Sequence, residues 1–148
     1  KLALSKVPGS VGINNHMGSL FTSDIRAMKV IMEELRLRGL LFLDSRTSPK
    51  TVALELASKH QVPFVTRNVF LDHEPRLNFI LAQLDVLEGL AKKQGYAVAI
   101  AHPRTTTIEA LSQWLPVIAE KGLELVPISS IVARRMGIPQ NQIKLSVK

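Results

Sequence analysis

The fold is decided by the stretch YAVAIAH, Tyr96–His102, in which six uncharged residues run without interruption into a histidine. Similar apolar runs occur at LLFL, Leu40–Leu43, which stops at Asp44, and at VPFV, Val62–Val65. Short strands that are apolar on both faces are typical of a parallel sheet buried between helices. These three runs therefore predict parallel strands in the interior of the domain.

Segments with helical spacing of apolar residues separate these runs. The predicted helices are Ser23–Leu37, ended by Gly39, then Ser48–His60, Pro75–Lys93, Thr105–Lys121 and Ser130–Met136. Ser10–Asn14 and Leu123–Val126 are predicted as the first and last strands, and Thr66–Glu74 as a long polar loop. Strands alternating with helices predict an α/β fold, either an open sheet or a barrel. We predict one domain over residues 1–136, followed by a basic tail, 137–148.

Composition excludes several classes of protein. The chain has 148 residues, is 46% hydrophobic and contains no cysteine. This apolar content is too high for an intrinsically disordered chain. The missing cysteines exclude disulfide scaffolds, thiol nucleophiles and cysteine-ligated metal centres. No run of about 18 apolar residues occurs, so no transmembrane segment is predicted, and no signal-peptide pattern is recognisable.

The net charge of +7 belongs mostly to the two ends of the sequence. Residues 1–23 contribute two basic residues and residues 125–148 contribute four, with no acidic residue in either segment. Nucleic-acid-binding domains usually concentrate positive charge on one face and add aromatic residues that stack on bases. Aromatic residues make up only 5% of this chain, so nucleic-acid binding is not predicted.

Polar residues follow each predicted strand, at the end of parallel sheets where α/β proteins carry their functional sites. His102 follows the fourth strand and suits proton transfer near neutral pH, although it could equally bond a nearby carbonyl. His16 could bind a metal, orient a water molecule or close a turn. The other candidates at the strand ends are Asn14, Asn15, Asp44, Arg67, Asp72 and His73. Asp44 could also brace its own loop, and His73 could be a solvated surface group.

Five segments together resemble the divergent polysaccharide deacetylase family. They are NNHMGS at Asn14–Ser19, FLDSRTS at Phe42–Ser48, RNVFLD at Arg67–Asp72, AHP at Ala101–Pro103, and Thr107-Ile108. Their order and spacing match across almost the whole chain, and the first segment is the most distinctive. The resemblance implies a deformed (β/α) barrel related to carbohydrate esterases that remove acetyl groups with one divalent metal, and zinc is the expected metal.

The resemblance also implies roles for individual residues. His16 would be a metal ligand or lie beside the metal, and His102 would protonate the leaving group or face the acetyl pocket. Asp44 and Arg67 would form a charged pair that orients the acid or shapes the substrate pocket. Three further residues, Asn14, Asn15 and Asp72, would line the cleft and bind sugar hydroxyls.

One departure from the family pattern is large. Family members usually begin with a strand ending in an Asp-Asp pair and continue to a His-x-Pro-Met-Glu-like segment, and neither is found in this sequence. Lys1–Val7 resembles the end of a helix. We therefore interpret the chain as the C-terminal portion of a larger domain, in which an Asp supplied from elsewhere would act as base or metal ligand.

Two functional hypotheses from different classes follow. The first is a metal-dependent hydrolase acting on acetylated carbohydrate, in a periplasmic or otherwise extracytoplasmic location by family resemblance. The second is a non-catalytic cell-envelope domain that binds a glycan or a protein on the same fold, because fold alone does not imply activity. A weaker third reading is an interaction module that uses the basic tail. Oligomeric state is not predicted.

Overall fold

The computed structural model describes residues 2–137, with side chains from Leu4 onward. The strands are β1 (Gly12–Asn14), β2 (Leu41–Asp44), β3 (Phe64–Thr66), β4 (Val69–Phe70) and β5 (Ala99–Ile100). The helices are α1 (Leu2–Lys6), α2 (Ser19–Thr22), α3 (Ile25–Arg38), α4 (Ala53–Lys59), α5 (Leu77–Gln94), α6 (Thr105–Trp114) and α7 (Ile128–Arg135). A 3₁₀ turn, Leu115–Val117, follows α6 directly.

The chain divides into two compact units. Of the described residues, unit 1 contains 2–66 and 127–137, and unit 2 contains 67–126. Both units combine parallel strands with helices, as the sequence predicts. The predicted single domain over residues 1–136 stays a prediction, and the predicted basic tail lies outside the described residues apart from Gly137.

Unit 1 is built on a three-stranded parallel sheet in the order β1-β2-β3. Gly12 in β1 lies opposite Leu41 in β2, and Asp44 lies opposite Thr66 in β3. Gly12 is required here because a Cβ at this position would lie 2.4 Å from the Leu41 carbonyl oxygen. A residue without a side chain therefore allows these two strands to approach each other.

One apolar cluster forms the core of unit 1. Helix α3 contributes Met28, Met32 and Leu35, which are almost fully buried with Phe42 of β2 and Leu56 of α4. Burying each side chain of this size stabilises the fold by about 1.5–3 kcal/mol relative to leaving it exposed. The apolar face of α3 thus secures the helix to the sheet whose strand ends carry the candidate residues.

Unit 2 places β4 parallel to β5 and packs α5 against α6. Its core comprises Val69, Leu71, Ile80, Leu84 and Ala110. The pairing places Phe70 opposite Ile100, so the residues two positions beyond each strand also come close together. Those residues are Asp72 and His102.

Capping residues mark the helix boundaries at three positions, of which Gly39 confirms the predicted end of α3. Asp24 accepts hydrogen bonds from the backbone N–H groups of Arg26 (2.8 Å) and Ala27 (3.0 Å), which would otherwise lack partners at the start of α3. Gly39 ends α3 with a φ of 65°, and Gly95 ends α5 with a φ of 83°. Both glycines adopt the left-handed conformation that helix C-caps favour.

Three predictions about strands need correction. Leu123–Val126 forms no strand: Leu125 is 71% exposed, and the Leu123 N–H bonds to Ile118 of the preceding turn. Conversely, the predicted loop Thr66–Glu74 contains β4. The predicted strand Tyr96–Ala101 is shorter in the structure, where β5 contains only Ala99–Ile100. The Val98 N–H donates to the side chain of Asn68 at 2.8 Å instead of to a backbone carbonyl of a neighbouring strand.

Helix lengths also differ from the predictions. Helix α6 ends at Trp114 instead of Lys121, because Pro116 has no N–H to continue the helical ladder and the chain tightens into the 3₁₀ turn. Helix α4 begins at Ala53 instead of Ser48, whose hydroxyl accepts the Lys50 N–H within a turn. The short helix α2 was not predicted from the sequence.

Candidate functional site

Asn14 and Asn15 join the loop after β1 to the loop after β2. The Asn14 side-chain amide donates to the Leu43 carbonyl (3.1 Å) and to Ser45 Oγ (2.5 Å). Asn15 Oδ1 accepts the Ser45 N–H (2.8 Å), and its Nδ2 donates to Thr47 Oγ1 (3.4 Å). Both amides therefore shape the strand ends of unit 1, and their predicted contact with sugar hydroxyls stays a prediction.

Asp44 is fully buried at the end of β2. Its Oδ1 accepts the Arg46 N–H at 2.7 Å and its Oδ2 accepts the Thr51 hydroxyl at 3.1 Å. The first bond supports Arg46, whose φ of 50° is uncommon for a residue with a side chain. Asp44 thus braces its own loop, while its pairing with Arg67, a residue of unit 2, stays a prediction.

His16 lies two residues beyond β1 and is exposed. It precedes a turn in which Met17 and Gly18 both have positive φ, at 57° and 74°. Within residues 2–137, no three His, Asp or Glu side chains are grouped so that they could hold a metal ion. The described side chains therefore do not form a complete zinc site, and the ligand role of His16 stays a prediction.

The most developed polar arrangement is in unit 2, at the ends of β4 and β5. His102 Nδ1 lies 3.1 Å from Oδ1 of Asp72, whose side chain is fully buried, whereas the His102 side chain is 37% exposed. The backbone N–H of His102 also donates to Asp72 Oδ2 at 2.9 Å. Two bonds from the same residue fix the histidine to a carboxylate that water does not reach.

Further donors complete the surroundings of Asp72. Thr107 Oγ1 donates to Oδ2 at 3.1 Å, and Arg104 Nε lies 3.8 Å from the same oxygen. Burial raises the pKa of Asp72 most strongly, but the hydrogen bonds from His102 and Thr107, with the charge of the imidazole, outweigh it and leave the pKa below its ordinary value. Asp72 is therefore ionised at neutral pH.

The pairing also determines which nitrogen of His102 carries a proton. An ionised carboxylate only accepts hydrogen bonds, so the neutral imidazole must hold its proton on Nδ1, toward Asp72. Nε2 of the neutral ring then carries the lone pair. A histidine oriented in this way by a buried carboxylate is equipped for general acid–base catalysis.

The ring of Phe70 packs against His102 and belongs to a small aromatic cluster. The Phe70 ring lies 5.5 Å from the His102 ring and 6.1 Å from the His73 ring, and the Arg67 guanidinium lies 5.5 Å from the centre of Phe70. His73 Nδ1 lies 3.3 Å from the Phe70 carbonyl, and its ring meets Phe79 edge-on at 4.4 Å. The sequence is compatible with His73 as a ligand or as a solvated surface group, and these contacts make it part of an aromatic cluster.

Several contributors to this site have no role in the sequence predictions. Thr107 and Arg104 both contact Asp72, although the sequence predicts no role for either residue. Asp72 was predicted to bind sugar, whereas its complete burial and its bonds favour a positioning role for His102. A spacing signal was available, because Thr107 lies five residues beyond His102 within a first helical turn that follows the strand.

Comparison with known proteins identifies the family. The family model described as "Divergent polysaccharide deacetylase" matches residues 1–132. This chain belongs to the divergent polysaccharide deacetylase family. The resemblance inferred from the sequence motifs is thereby confirmed.

Relatives of this divergent polysaccharide deacetylase family member include uncharacterized proteins of two bacteria. An uncharacterized protein of Haemophilus influenzae is 36% identical over 133 residues, which is 90% of this chain and 47% of the relative. The uncharacterized protein YibQ of Escherichia coli is 40% identical over 111 residues, covering 75% of this chain and 35% of the relative. The chain therefore spans about half or less of the length of these relatives.

A solved structure supports the fold. The crystal structure of an uncharacterized protein from Agrobacterium tumefaciens superposes with a TM-score of 0.80 at 31% identity, covering 82% of this chain and 49% of that chain. The α/β fold of the deacetylase type is confirmed by this likeness. No helix within residues 2–137 is both long enough and apolar enough to cross a membrane.

Proposed function

We propose that this chain supplies the acid–base residues of a hydrolase that removes acetyl groups from carbohydrate. The observation that carries the proposal is the buried Asp72 carboxylate bonded to Nδ1 of the partly exposed His102. Membership of the divergent polysaccharide deacetylase family supports acetylated carbohydrate as the substrate class.

The chemistry requires one proton donor that this pair can provide. Addition of water to an acetyl carbonyl gives a tetrahedral intermediate, which collapses by breaking the bond to the sugar nitrogen or oxygen. In the proposal, protonated His102 gives its Nε2 proton to that leaving atom, and the products are acetate and an amine or alcohol. Asp72 holds the ring in position and stabilises the imidazolium, as a positioning residue.

Zinc and an extracytoplasmic location are further parts of the proposal. The family resemblance supports both, and His16 is the proposed ligand because neutral imidazole suits zinc. The remaining ligands would come from outside the described residues. The roles that the resemblance implies for Asp44, Arg67, Asn14 and Asn15 stay predictions.

Acetate release tests the proposal directly. The full-length protein is incubated with zinc and either acetylated chitooligosaccharides or peptidoglycan fragments. Because general acid catalysis typically contributes about 10²–10⁴-fold, His102→Gln should lower the rate of acetate release by that factor. His60→Gln, at the end of α4 in unit 1, is the matched control and should leave the rate unchanged.

The same experiment separates the two functional classes. No acetate from any substrate and no zinc uptake would exclude the hydrolase. Glycan binding without turnover, unaffected by a chelator, would instead support the alternative, a non-catalytic cell-envelope domain that binds a glycan or a protein. Acetate release that is insensitive to His102→Gln would exclude the acid–base role proposed for His102.

A further inference from the structure

Arg104 lies next to the Asp72–His102 pair. Its backbone N–H donates to the His102 carbonyl at 2.8 Å, which forms a tight turn between the histidine and α6. Its guanidinium Nη1 donates to the Asp72 backbone carbonyl at 3.1 Å. Arg104 is thus attached through both its backbone and its side chain to the two residues of the proposed acid–base pair.

This guanidinium has hydrogen-bonding capacity beyond that structural contact. A guanidinium carries five N–H donors in a planar fork, and the Nη1 contact to the Asp72 carbonyl occupies one of them. Its Nε is 3.8 Å from Asp72 Oδ2, an ion-pair distance that is too long for a hydrogen bond. The Arg104 side chain is 43% exposed, so a ligand in solution can reach it.

The acidic side chains of Asp72 and Glu74 already accept hydrogen bonds from other residues. Asp72 is fully buried and accepts hydrogen bonds from His102 and Thr107. Glu74 pairs with Arg76, which donates to it through both Nε and Nη2. Once His102 takes up the proton that it needs as an acid, the group formed by Asp72, His102 and Arg104 carries a net positive charge. An anionic ligand is the natural complement of that charge.

We propose that Arg104 is a specificity-determining residue that binds a carboxylate on the acetylated sugar. A guanidinium and a carboxylate form paired, charge-assisted hydrogen bonds whose geometry an ammonium or a neutral amide does not reproduce. The preferred substrate class is therefore an acidic acetylated sugar, with the carboxylate on a lactyl ether or at C6 of a uronic acid. This inference rests on the proposed function and specifies its substrate.

Binding measurements with matched sugars test the assignment without requiring turnover. NMR titration of the full-length protein compares N-acetylmuramic acid with N-acetylglucosamine, which lacks only the lactyl ether. N-acetylglucosaminuronic acid is a third probe that moves the carboxylate to C6. We expect at least one acidic sugar to bind about tenfold more tightly than the neutral sugar, as for one net charge-assisted contact.

Three variants identify the source of that preference. Arg104→Gln should abolish the preference for the acidic sugar while retaining the affinity for N-acetylglucosamine, which also verifies that the variant is folded. Arg104→Lys should restore only part of the preference, because lysine keeps the charge but loses the fork. Arg76→Gln is the control, since Arg76 is an exposed arginine already paired with Glu74, and should leave the preference intact.

The outcomes distinguish this inference from the proposed hydrolase activity. Equal affinity for acidic and neutral sugars, no binding of any of the three, or a preference that survives Arg104→Gln would each overturn the assignment of Arg104. Acetate release from the neutral sugar would in those cases still uphold the hydrolase. Tight binding of the acidic sugar without acetate release would uphold Arg104 and count against the hydrolase.

Discussion

Thr107 Oγ1 donates a 3.1 Å hydrogen bond to Oδ2 of Asp72, and both side chains are buried. The bond connects the first turn of α6 to the carboxylate that orients His102. Thr107 therefore acts on the candidate site through Asp72 and does not need to touch a substrate.

Replacing Thr107 by valine tests this connection. Valine is close in shape but cannot donate, so the buried carboxylate loses one hydrogen bond, and we expect the free energy of unfolding to fall by about 1.5–3 kcal/mol. Urea denaturation measures the change. Thr105→Val, at the exposed start of the same helix, is the control and should shift stability by less than about 0.5 kcal/mol. Equal losses in the two variants would show that the bond to Asp72 is unimportant.

Glu88 predicts how stability depends on pH. Its Oε1 accepts hydrogen bonds from Lys121 Nζ (2.5 Å) and Trp114 Nε1 (2.7 Å). Burial raises the pKa of Glu88, but these bonds and the positive charges of Lys121 and Lys92 outweigh it, so the pKa lies below its ordinary 4.5. Because the folded-state pKa is lowered, this stabilisation is present above pH 4.5 and is lost as pH falls through the folded-state value.

Glu88→Gln should therefore lower stability at pH 7 by about 1–3 kcal/mol, since the two donors lose their charged acceptor. It should also make the decline in stability below pH 4.5 shallower than in the wild type. Urea melts at a series of pH values measure both effects, with Glu120→Gln as an exposed control. If the stability of Glu88→Gln declines below pH 4.5 as steeply as that of the wild type, the prediction is wrong.

Gly12 predicts a steric effect within the sheet of unit 1. In Gly12→Ala the new Cβ would lie 2.4 Å from the Leu41 carbonyl oxygen, which belongs to the neighbouring strand and cannot rotate away. We expect a loss of about 1–3 kcal/mol, comparable to overpacking elsewhere in protein cores. The control is Gly89→Ala, at an exposed position inside α5 with no atom within 4 Å of the new Cβ. That variant should gain about 0.5–1 kcal/mol, so the two changes should have opposite signs.

His16 predicts a change in metal content. If His16 is a zinc ligand, His16→Ala in the full-length protein should lose bound zinc, as measured by elemental analysis after gel filtration. His60→Ala controls for nonspecific binding by imidazole, because His60 lies at the end of a helix. A zinc content equal to that of the wild type would remove His16 from the ligand role.

The sequence predicts the helices and the parallel strands well where local signals are strong. Asp24, Gly39 and Gly95 mark helix ends through bonds and backbone angles that depend only on nearby residues. The strand prediction for Leu123–Val126 fails because a segment rich in apolar residues becomes a strand only when another strand pairs with it, and none does within residues 2–137. Pairing is a tertiary property, so composition cannot reveal it.

The candidate site was only partly predictable for the same reason. His102 and Asp72 were each identified from their positions after strands, but the roles assigned to them missed their mutual bond. That bond depends on the register of β4 and β5, which the sequence does not specify. The burial of Asp44 and Asp72 was also not predictable from the sequence, because carboxylates are usually exposed unless they are paired.

Asn68 has a consequence for the alignment of the proposed catalytic pair. Its backbone N–H donates to the Val98 carbonyl at 2.7 Å, and its side chain accepts the Val98 N–H at 2.8 Å. A pair of two-residue strands has few bonds to resist sliding, and a slip of one residue would turn its side chains to opposite faces. The two hydrogen bonds between Asn68 and Val98 precede the β4–β5 pair and fix its register. Asn68 therefore keeps Asp72 next to His102.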